Sequence, residues 1–438
     1  MNITTALRAT VRGTVHTAGD AGFDQARRPW NLAVEQPALA VVEAADAHDV
    51  AVVARFARLH GLAVAAQPSG HGATGDTEGT ILLRTGRLDD LRVDPERRVA
   101  RAGAGVRWGR VLAEAGPHGL TGLAGSSPVV TVTGYTLGGG LSWFGRRHGW
   151  ASDGVRAFDV VTADGEPARV TADSDPDLFW ALRGGGGDFA LVTAVEFDLH
   201  PAPVLYGGRM AWSADRAPAV LDAYREVTEG APDELTVWYE LLRFPGAPAM
   251  VAVDVTFLGE AADAGPILRP FEKVGGLLSD SRAVLPVADL GSITAEPTDP
   301  GAGRSRAELL TRLDDEAAAV LLEHPVDPLL SVQLRHLGGA LARRSGNGGA
   351  AGPLTEPYAL YMFGLAPSRE TEAAVRARQA GLATALTRHT SGRKPLTFLA
   401  PGERAASAFT APALDRLRDL KRARDPHGVL RSNFPVLA

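Results

Sequence analysis

The sequence predicts a two-lobed α+β chain, and three observations carry that reading. At 438 residues it is longer than a single core of ordinary size holds, which fits two or three domains or one large bipartite unit. Strand and helix patterns come as short alternating elements up to His200-Pro201-Ala202-Pro203 and as longer ones beyond it. Two segments dense in glycine, serine and threonine, 68–75 and 122–155, interrupt only the first half.

Taken in order, AVVE at 40–43 suits a strand, and Asp46 stands as a helix N-cap before Val50, Val53, Ala54 and Ala57 on one face. Gly61 stops that helix, and 62–66 is apolar enough for a buried strand. The unit runs straight into PSGHGATG at 68–75. Strands follow at 81–84 and 99–102, with a helix near 106–115. Segments 155–162 and 168–171 make a hairpin through Asp164-Gly165, and a short helix near 175–182 precedes glycines 184–187 and a strand at 189–199. In the second half, strands are expected at 235–242, 250–257, 329–337 and 358–363, and helices at 217–228, 307–313 and 370–386. That order implies a sheet covered on one face by helices. The glycine-rich stretch 346–352 reads as a mobile loop, and a helix at 414–423 ends before Asp425-Pro426 and an extended tail.

Composition narrows the function. With 22% charged and 45% hydrophobic residues the chain has a globular profile, and no apolar run approaches the roughly 18 residues of a spanning helix. The start, MNITTALRAT, lacks the pattern of an export signal, so a cytoplasmic protein without a membrane partner is expected. A net charge of −6 argues against nucleic acid. The absence of cysteine excludes disulfides, thiolate metal sites and cysteine nucleophiles. Neither GxxxxGK[ST], HExxH nor GxSxG occurs, GxGxxG is met only at 70–75, and no metal site is expected.

The two glycine-rich segments carry the chemistry. Three glycines in PSGHGATG let the backbone approach a ligand and aim several N–H groups at it, a common way to hold pyrophosphate. The alternative is an ordinary turn with a solvent-facing histidine. Segment 122–155 is too rich in Gly, Ser and Thr for a packed helix and reads as a loop system lying on something flat or phosphorylated. A flexible linker is excluded because Val129, Val130, Val132, Tyr135, Leu137, Trp143 and Phe144 are interleaved and need burial.

In this order and spacing the segments resemble the PCMH-type FAD-binding domain of the vanillyl-alcohol-oxidase superfamily, and among its members the berberine-bridge-enzyme-like and hydroxynicotine-oxidase-like flavoproteins. LFWALRGGGG at 178–187, the stretch 149–153, and the pattern of Lys421, Asp425, Pro426 and Asn433 also match. The resemblance implies an FAD-binding domain over 1–203, with its core at about 34–203. It further implies a substrate domain with an antiparallel sheet over 204–394, and a segment 395–438 that returns to the first domain. Around the cofactor it places Ser69, Gly70, His71, Gly72 and Gly75, then Gly125, Ser126, Val130, Thr131, Gly134, Tyr135 and Gly138, then Asp153, Val192 and Asn433.

His71 stands at the family's covalent attachment point for the flavin. Ser127 replaces the cysteine of doubly tethered members, so at most one bond is implied. Val130 matches the residue that gates dioxygen and is of the permissive, small type. Tyr135 replaces a histidine beside flavin N1 and the C2 carbonyl; simple core packing is the other reading. Pro395 and Thr397 stand where many members have Tyr-x-Asn, so the usual base is missing. Candidates to replace it are Arg335, His336 and Tyr361. Strand alternation puts Gln333 and Arg335 on one face and His336 on the other; an edge arginine paired to a carboxylate is the plainer reading.

The expectation is therefore an FAD-dependent oxidase, monomeric or homodimeric, that takes a hydride from a small, secondary-metabolite-like substrate and is reoxidised by dioxygen. The alternatives are a redox-neutral elimination or cyclisation on bound flavin, or a non-catalytic flavin- or ligand-binding protein.

Overall fold

A computed structural model describes residues 3–343, 346 and 348–438. The first lobe grows from the strand–helix–strand unit. The Asp46 carboxylate accepts from the Asp49 N–H at 3.0 Å, opening the helix Ala47–Leu59, whose Val50, Val53, Ala54 and Ala57 are buried. Gly61 then reverses the chain at φ +64°. The strands Ala40–Glu43, Ile81–Arg84 and Val64–Ala66 pair in parallel, with Thr14–Thr17 antiparallel at one edge. A second, antiparallel sheet follows the order Leu91–Asp94, Val99–Gly103, Leu191–Asp198, Val155–Val161, Pro167–Val170.

The second lobe is one antiparallel sheet, ordered Leu277–Asp280, Leu205–Ser213, Met250–Leu258, Leu235–Leu242, Ser331–His336, Tyr358–Leu365, Gly303–Leu310. Helices Ala217–Glu229, Ala261–Glu272, Asp315–Glu323 and Arg369–Ala385 contribute to its outer layer; Val237, Tyr239, Val253, Leu334 and Met362 share a core with them. The alternate residues of the same strands turn to the first lobe, where Trp238 stacks on Trp143 with centroids 3.7 Å apart and planes 15° from parallel. Three residues on, buried Arg146 crosses the boundary. It donates to Leu235 O (2.7 Å), His336 Nε2 (3.0 Å), Ala231 O (3.0 Å), Pro232 O (3.2 Å) and Leu337 O.

The chain's end returns to the first lobe. The helix Ala411–Arg424 buries Lys421, whose ammonium donates to Asp188 O, Asp425 Oδ2 and Leu430 O, each at 2.8 Å. Val429 and Arg431 then bracket the strand Val64–Ala66 with backbone bonds to Val64.

Three expectations are corrected. Segment 307–313 is not a helix: Gly303–Leu310 is an edge strand with eight register partners on Tyr358–Leu365, and this pairing overrides the local preference of its AELL run. Within 122–155, Val132–Leu137 is helical, burying Val132, Thr133 and Thr136, so small and hydroxyl side chains suffice for one packed turn. In 346–352, Asn347 lies outside the described residues, but 348–352 packs: Ala350 is buried and its N–H donates to Trp180 O at 3.2 Å. The strands Thr14–Thr17, Leu91–Asp94 and Leu205–Ser213 and the helices Ile3–Thr10, Ala261–Glu272 and Asp315–Glu323 were not anticipated. Ala261–Glu272 hides behind Pro266 and Pro270.

Burial, with Arg146 beside it, drives the His336 pKa down to about 2; burial likewise takes His148 down to about 3. A histidine kept neutral in the native state but charged when unfolded makes the unfolded chain bind more protons below pH 6.5. Stability is then lost as pH falls from 6.5 towards the folded pKa. Buried carboxylates such as Asp188 and Asp254, whose pKa values are raised, act in the opposite sense. The variant His336→Asn, which keeps an acceptor for Arg146, isolates one contribution. In urea titrations it should flatten the acid loss by about 1.4 kcal/mol per pH unit between pH 6 and 5.

Candidate active site between the lobes

The first loop is built by close backbone approach. Gly70 has φ +86°, and a Cβ there would lie 2.8 Å from Pro29 Cα. This lets Trp30 N–H donate to Ser69 O at 3.0 Å and lets the His71 ring stack on Trp30, centroids 4.3 Å apart at 15°. His71 Nδ1 pairs with Ser69 Oγ at 2.9 Å, while Nε2 is buried without a partner. Burial, then the nearby Arg107 charge, lowers the His71 pKa to about 4, so the ring is neutral at ordinary pH. Asn433 of the tail abuts Gly72, its amide nitrogen 3.7 Å from where a Cβ would stand, and Gly75 turns at φ +87° against Glu35 O.

The second loop is pinned by Trp108 N–H to Val130 O (3.0 Å), Gly109 N–H to Pro128 O (2.9 Å) and Val132 N–H to Val106 O (2.9 Å). Thr131 stands at the N-cap position, and Gly134 lies one residue before Tyr135 in the short helix. Tyr135 packs edge-on to Trp108, centroids 5.6 Å apart at 80°, and lies against Gly125 and Gly140. Its burial raises the phenol pKa well above the usual value. Gly138 faces Thr397, and Ser126 sits beside Ser127. Buried polar atoms with no partner gather on these loops: His71 Nε2, Ser127 Oγ, Thr133 Oγ1 and the Tyr135 hydroxyl. Buried groups of this kind are normally hydrogen-bonded, so these four are open to a polar ligand. Two expected residues stand in structural roles: Asp153 Oδ2 accepts from Trp150 N–H (3.2 Å), and Val192 is in the core beside a bulge.

Opposite the loops, register sets two rows on the sheet face. Glu240, Gln333 and Tyr361 pair across neighbouring strands, and Asp254, Trp238 and Arg335 form the next row. Arg335 donates through Nε (3.0 Å) and Nη2 (2.7 Å) to Gln333 Oε1 and lies over the rings of Trp238 (3.9 Å) and Tyr361 (4.6 Å). Its charge reaches across the boundary to Tyr135, where it opposes the effect of burial on the phenol. Tyr361 is also buried with a raised pKa, which Arg335 counteracts in part.

His336 is a correction. No bulge interrupts its strand, so it stays on the face away from Arg335, and its Nε2 lone pair is occupied by Arg146. With a pKa near 2 and its accepting nitrogen used, it has no free site for a substrate proton. Pro395 and Thr397 bring no titratable group, and the adjacent Lys394 is committed to Glu308 (3.2 Å) and Glu403.

Sequence reasoning missed Glu240. Its Oε2 accepts from Arg209 Nη2 at 2.9 Å, Arg209 also grips Asp254 at 2.6 and 2.7 Å, and Glu240 Oε1 is buried without a partner. Burial and the Asp254 charge raise the Glu240 pKa. The signal was available: one carboxylate inside LTVWYELL, a strand buried at every position.

Comparison with known proteins agrees with this geometry. Residues 38–171 match the FAD binding domain. The chain thus carries an FAD-binding domain over those residues. It is 30% identical over 297 residues to (R)-6-hydroxynicotine oxidase of Paenarthrobacter nicotinovorans, covering 66% of this chain and 64% of that one, just under two thirds of the relative's length. The fold matches 6-hydroxy-D-nicotine oxidase from Arthrobacter nicotinovorans with a TM-score of 0.84 at 24% identity, over 96% and 97% of the two chains. It also matches glucooligosaccharide oxidase from Acremonium strictum, which carries a 6-S-cysteinyl, 8α-N1-histidyl FAD, with a TM-score of 0.84 at 23% identity, over 100% and 99%. The two-lobed α+β fold of these oxidase structures thus extends over nearly the whole chain. Among the described residues no helix is long and apolar enough to cross a membrane.

Proposed function

We propose that the protein is an FAD-dependent oxidase that takes a hydride from a small organic substrate and passes the electrons to dioxygen. The observation that carries this reading is the opposition of two half-sites: partnerless polar atoms on the glycine-rich loops, and a polar strip in an otherwise apolar sheet. Bound FAD supplies the hydride acceptor. Ser69 to Gly72, Gly75, Gly125, Ser126, Thr131, Gly134, Gly138 and Asn433 cradle it by backbone approach, and Tyr135 offers a hydroxyl to its electron-rich edge.

His71 is the single tether in this reading. Its neutral ring, held by Ser69 and Trp30, keeps a nitrogen available, and Ser127 has no thiol to form a second bond. The protein should purify yellow and stay yellow through acid precipitation, with an intact mass one FAD above the polypeptide. His71→Ala should release the flavin on precipitation. A bare polypeptide mass for the wild type would refute the tether.

Val130 leaves room for dioxygen, so reduced enzyme should reoxidise rapidly in air. Val130→Leu should slow that step while leaving reduction by substrate within a few-fold of wild type. Reduced wild type persisting for minutes in air would show a dehydrogenase instead.

Glu240 is the proton acceptor in this reading, replacing the missing Tyr-x-Asn pair. One oxygen is held by Arg209, the other makes no hydrogen bond to a donor, and the Asp254 carboxyl lies alongside, on the face shared with Gln333 and Tyr361. Tyr361 needs its proton removed against its own burial, and a guanidinium such as that of Arg335 only donates. Flavin reduction followed by stopped flow, using 6-hydroxynicotine and glucooligosaccharides as trial donors, should rise with pH as Glu240 ionises. Glu240→Gln should cut it by about a hundred- to ten-thousand-fold. Asp254→Asn removes a neighbouring negative charge and should move the ionisation to lower pH. A Glu240→Gln rate within a few-fold of wild type would place the base elsewhere.

A further inference from the structure

The sheet face holds a cation with no direct ion pair, which Glu240 meets only through the field. Arg335 is only 8% exposed, yet among the described residues no carboxylate comes within ion-pair distance of it, and its one hydrogen-bond acceptor is Gln333 Oε1. Buried Arg183, over the Phe179 ring at 4.4 Å, likewise lacks an ion pair, but the remaining buried cations are differently placed. Arg146 has five acceptors, Lys421 has Asp425, and Lys394 has Glu308 and Glu403. The carboxylates of this face, Glu240 in the adjoining row and Asp254 in the same row, are both bound by Arg209. A guanidinium has five N–H donors, and Gln333 takes two of them. Removal from water without a counter-charge is costly, and cation–π contact offsets only part of it. Those contacts come from Trp238 (3.9 Å), Tyr361 (4.6 Å) and Phe398 (5.4 Å), whose rings wall the guanidinium with flat apolar surfaces.

We propose that Arg335 is the anchor for an anionic group of the substrate, a carboxylate or phenolate carried on a planar, aromatic body. The inference rests on the oxidase reading and narrows its substrate class. The aromatic walls suit a flat ring, and the open N–H edge suits two oxygens in one plane. The reduced flavin is the other source of negative charge at such a site. Against it, Arg335 makes no hydrogen bond to Tyr135, the residue beside the electron-rich edge, and touches it through the field alone. Gln333 is the positioning residue, gripping the Nε side of the fork from the same strand.

The test is isothermal calorimetry on purified holoenzyme, with benzoate as the anionic probe and benzamide as its neutral isostere. Benzoate should bind about ten- to a hundred-fold more tightly than benzamide. Arg335→Met should abolish that preference while leaving benzamide within a few-fold. Arg335→Lys, which keeps the charge but not the fork, should retain part of it, so a misfolded methionine variant does not decide the matter. Equal affinities, no benzoate binding at millimolar concentration, or an unchanged preference in a folded Arg335→Met would each overturn the proposal. So would a Met variant that loses affinity for sulfite at the flavin with benzoate unmoved, since the guanidinium would then serve the cofactor. FAD content and reduction by trial donors are scored separately: an anion-selective site in a protein that no donor reduces sinks the oxidase reading and leaves Arg335's ligand preference standing.

Discussion

Arg146 is the constraint on which the relation of the two lobes depends. It leaves the first lobe from the short helix Gly145–His148 and spends its donors on four backbone carbonyls and one imidazole of the second. A buried guanidinium tolerates only a geometry in which nearly every N–H is satisfied, so these contacts fix orientation as well as distance. Two of the acceptors, His336 and Leu337, lie at the end of the strand that carries Gln333 and Arg335. The position of that strand over the glycine-rich loops therefore follows from satisfying one side chain far from any reacting atom. The histidine that seemed a candidate base is part of this fastening.

The sheet's two faces divide the labour. The outer face is a conventional apolar layer under four helices. The inner face places acids, an amide, two arginines and aromatics where solvent is scarce, an arrangement that lowers stability unless each group is matched. Charge is matched by an arginine at one end and lacks an acid at the other. Arg209, a fifth exposed, binds both buried carboxylates and leaves one oxygen of Glu240 without a donor. Towards the loops, Arg335 has aromatic neighbours and an amide but no acid.

Much of this was legible in the sequence, for definable reasons. Asp46 announces a helix start because its carboxylate has one best use there, and it accepts the Asp49 N–H as expected; Asp175 is found to cap Pro176–Leu182 in the same way. Alternation on LLSVQLRHLGG correctly separated Arg335 from His336 because no bulge intervenes. What failed depended on partners distant in the chain. Gly303–Leu310 is a strand only because Tyr358–Leu365 lies beside it, and nothing within its own eight residues says so. Glu240 went unnoticed because its meaning comes from Arg209 and Asp254, on strands before and after its own. The plainer reading of Arg335, an edge arginine with its carboxylate, fails for the same reason: the acids are present, but another arginine holds them.

The indole pair at the boundary has an optical consequence. Trp143 comes from the loop lobe and Trp238 from the sheet, and both are almost wholly buried, with ring centres closer than any other aromatic pair described. Two identical chromophores held nearly parallel at 3.7 Å share their electronic excitation, and a slide or rotation of one lobe against the other changes that coupling steeply. The near-ultraviolet circular dichroism of the native protein therefore contains an intrinsic gauge of lobe separation. It sits three residues from Arg146 and two strands' width or less from the arginine and glutamate of the inner face, and it needs no label.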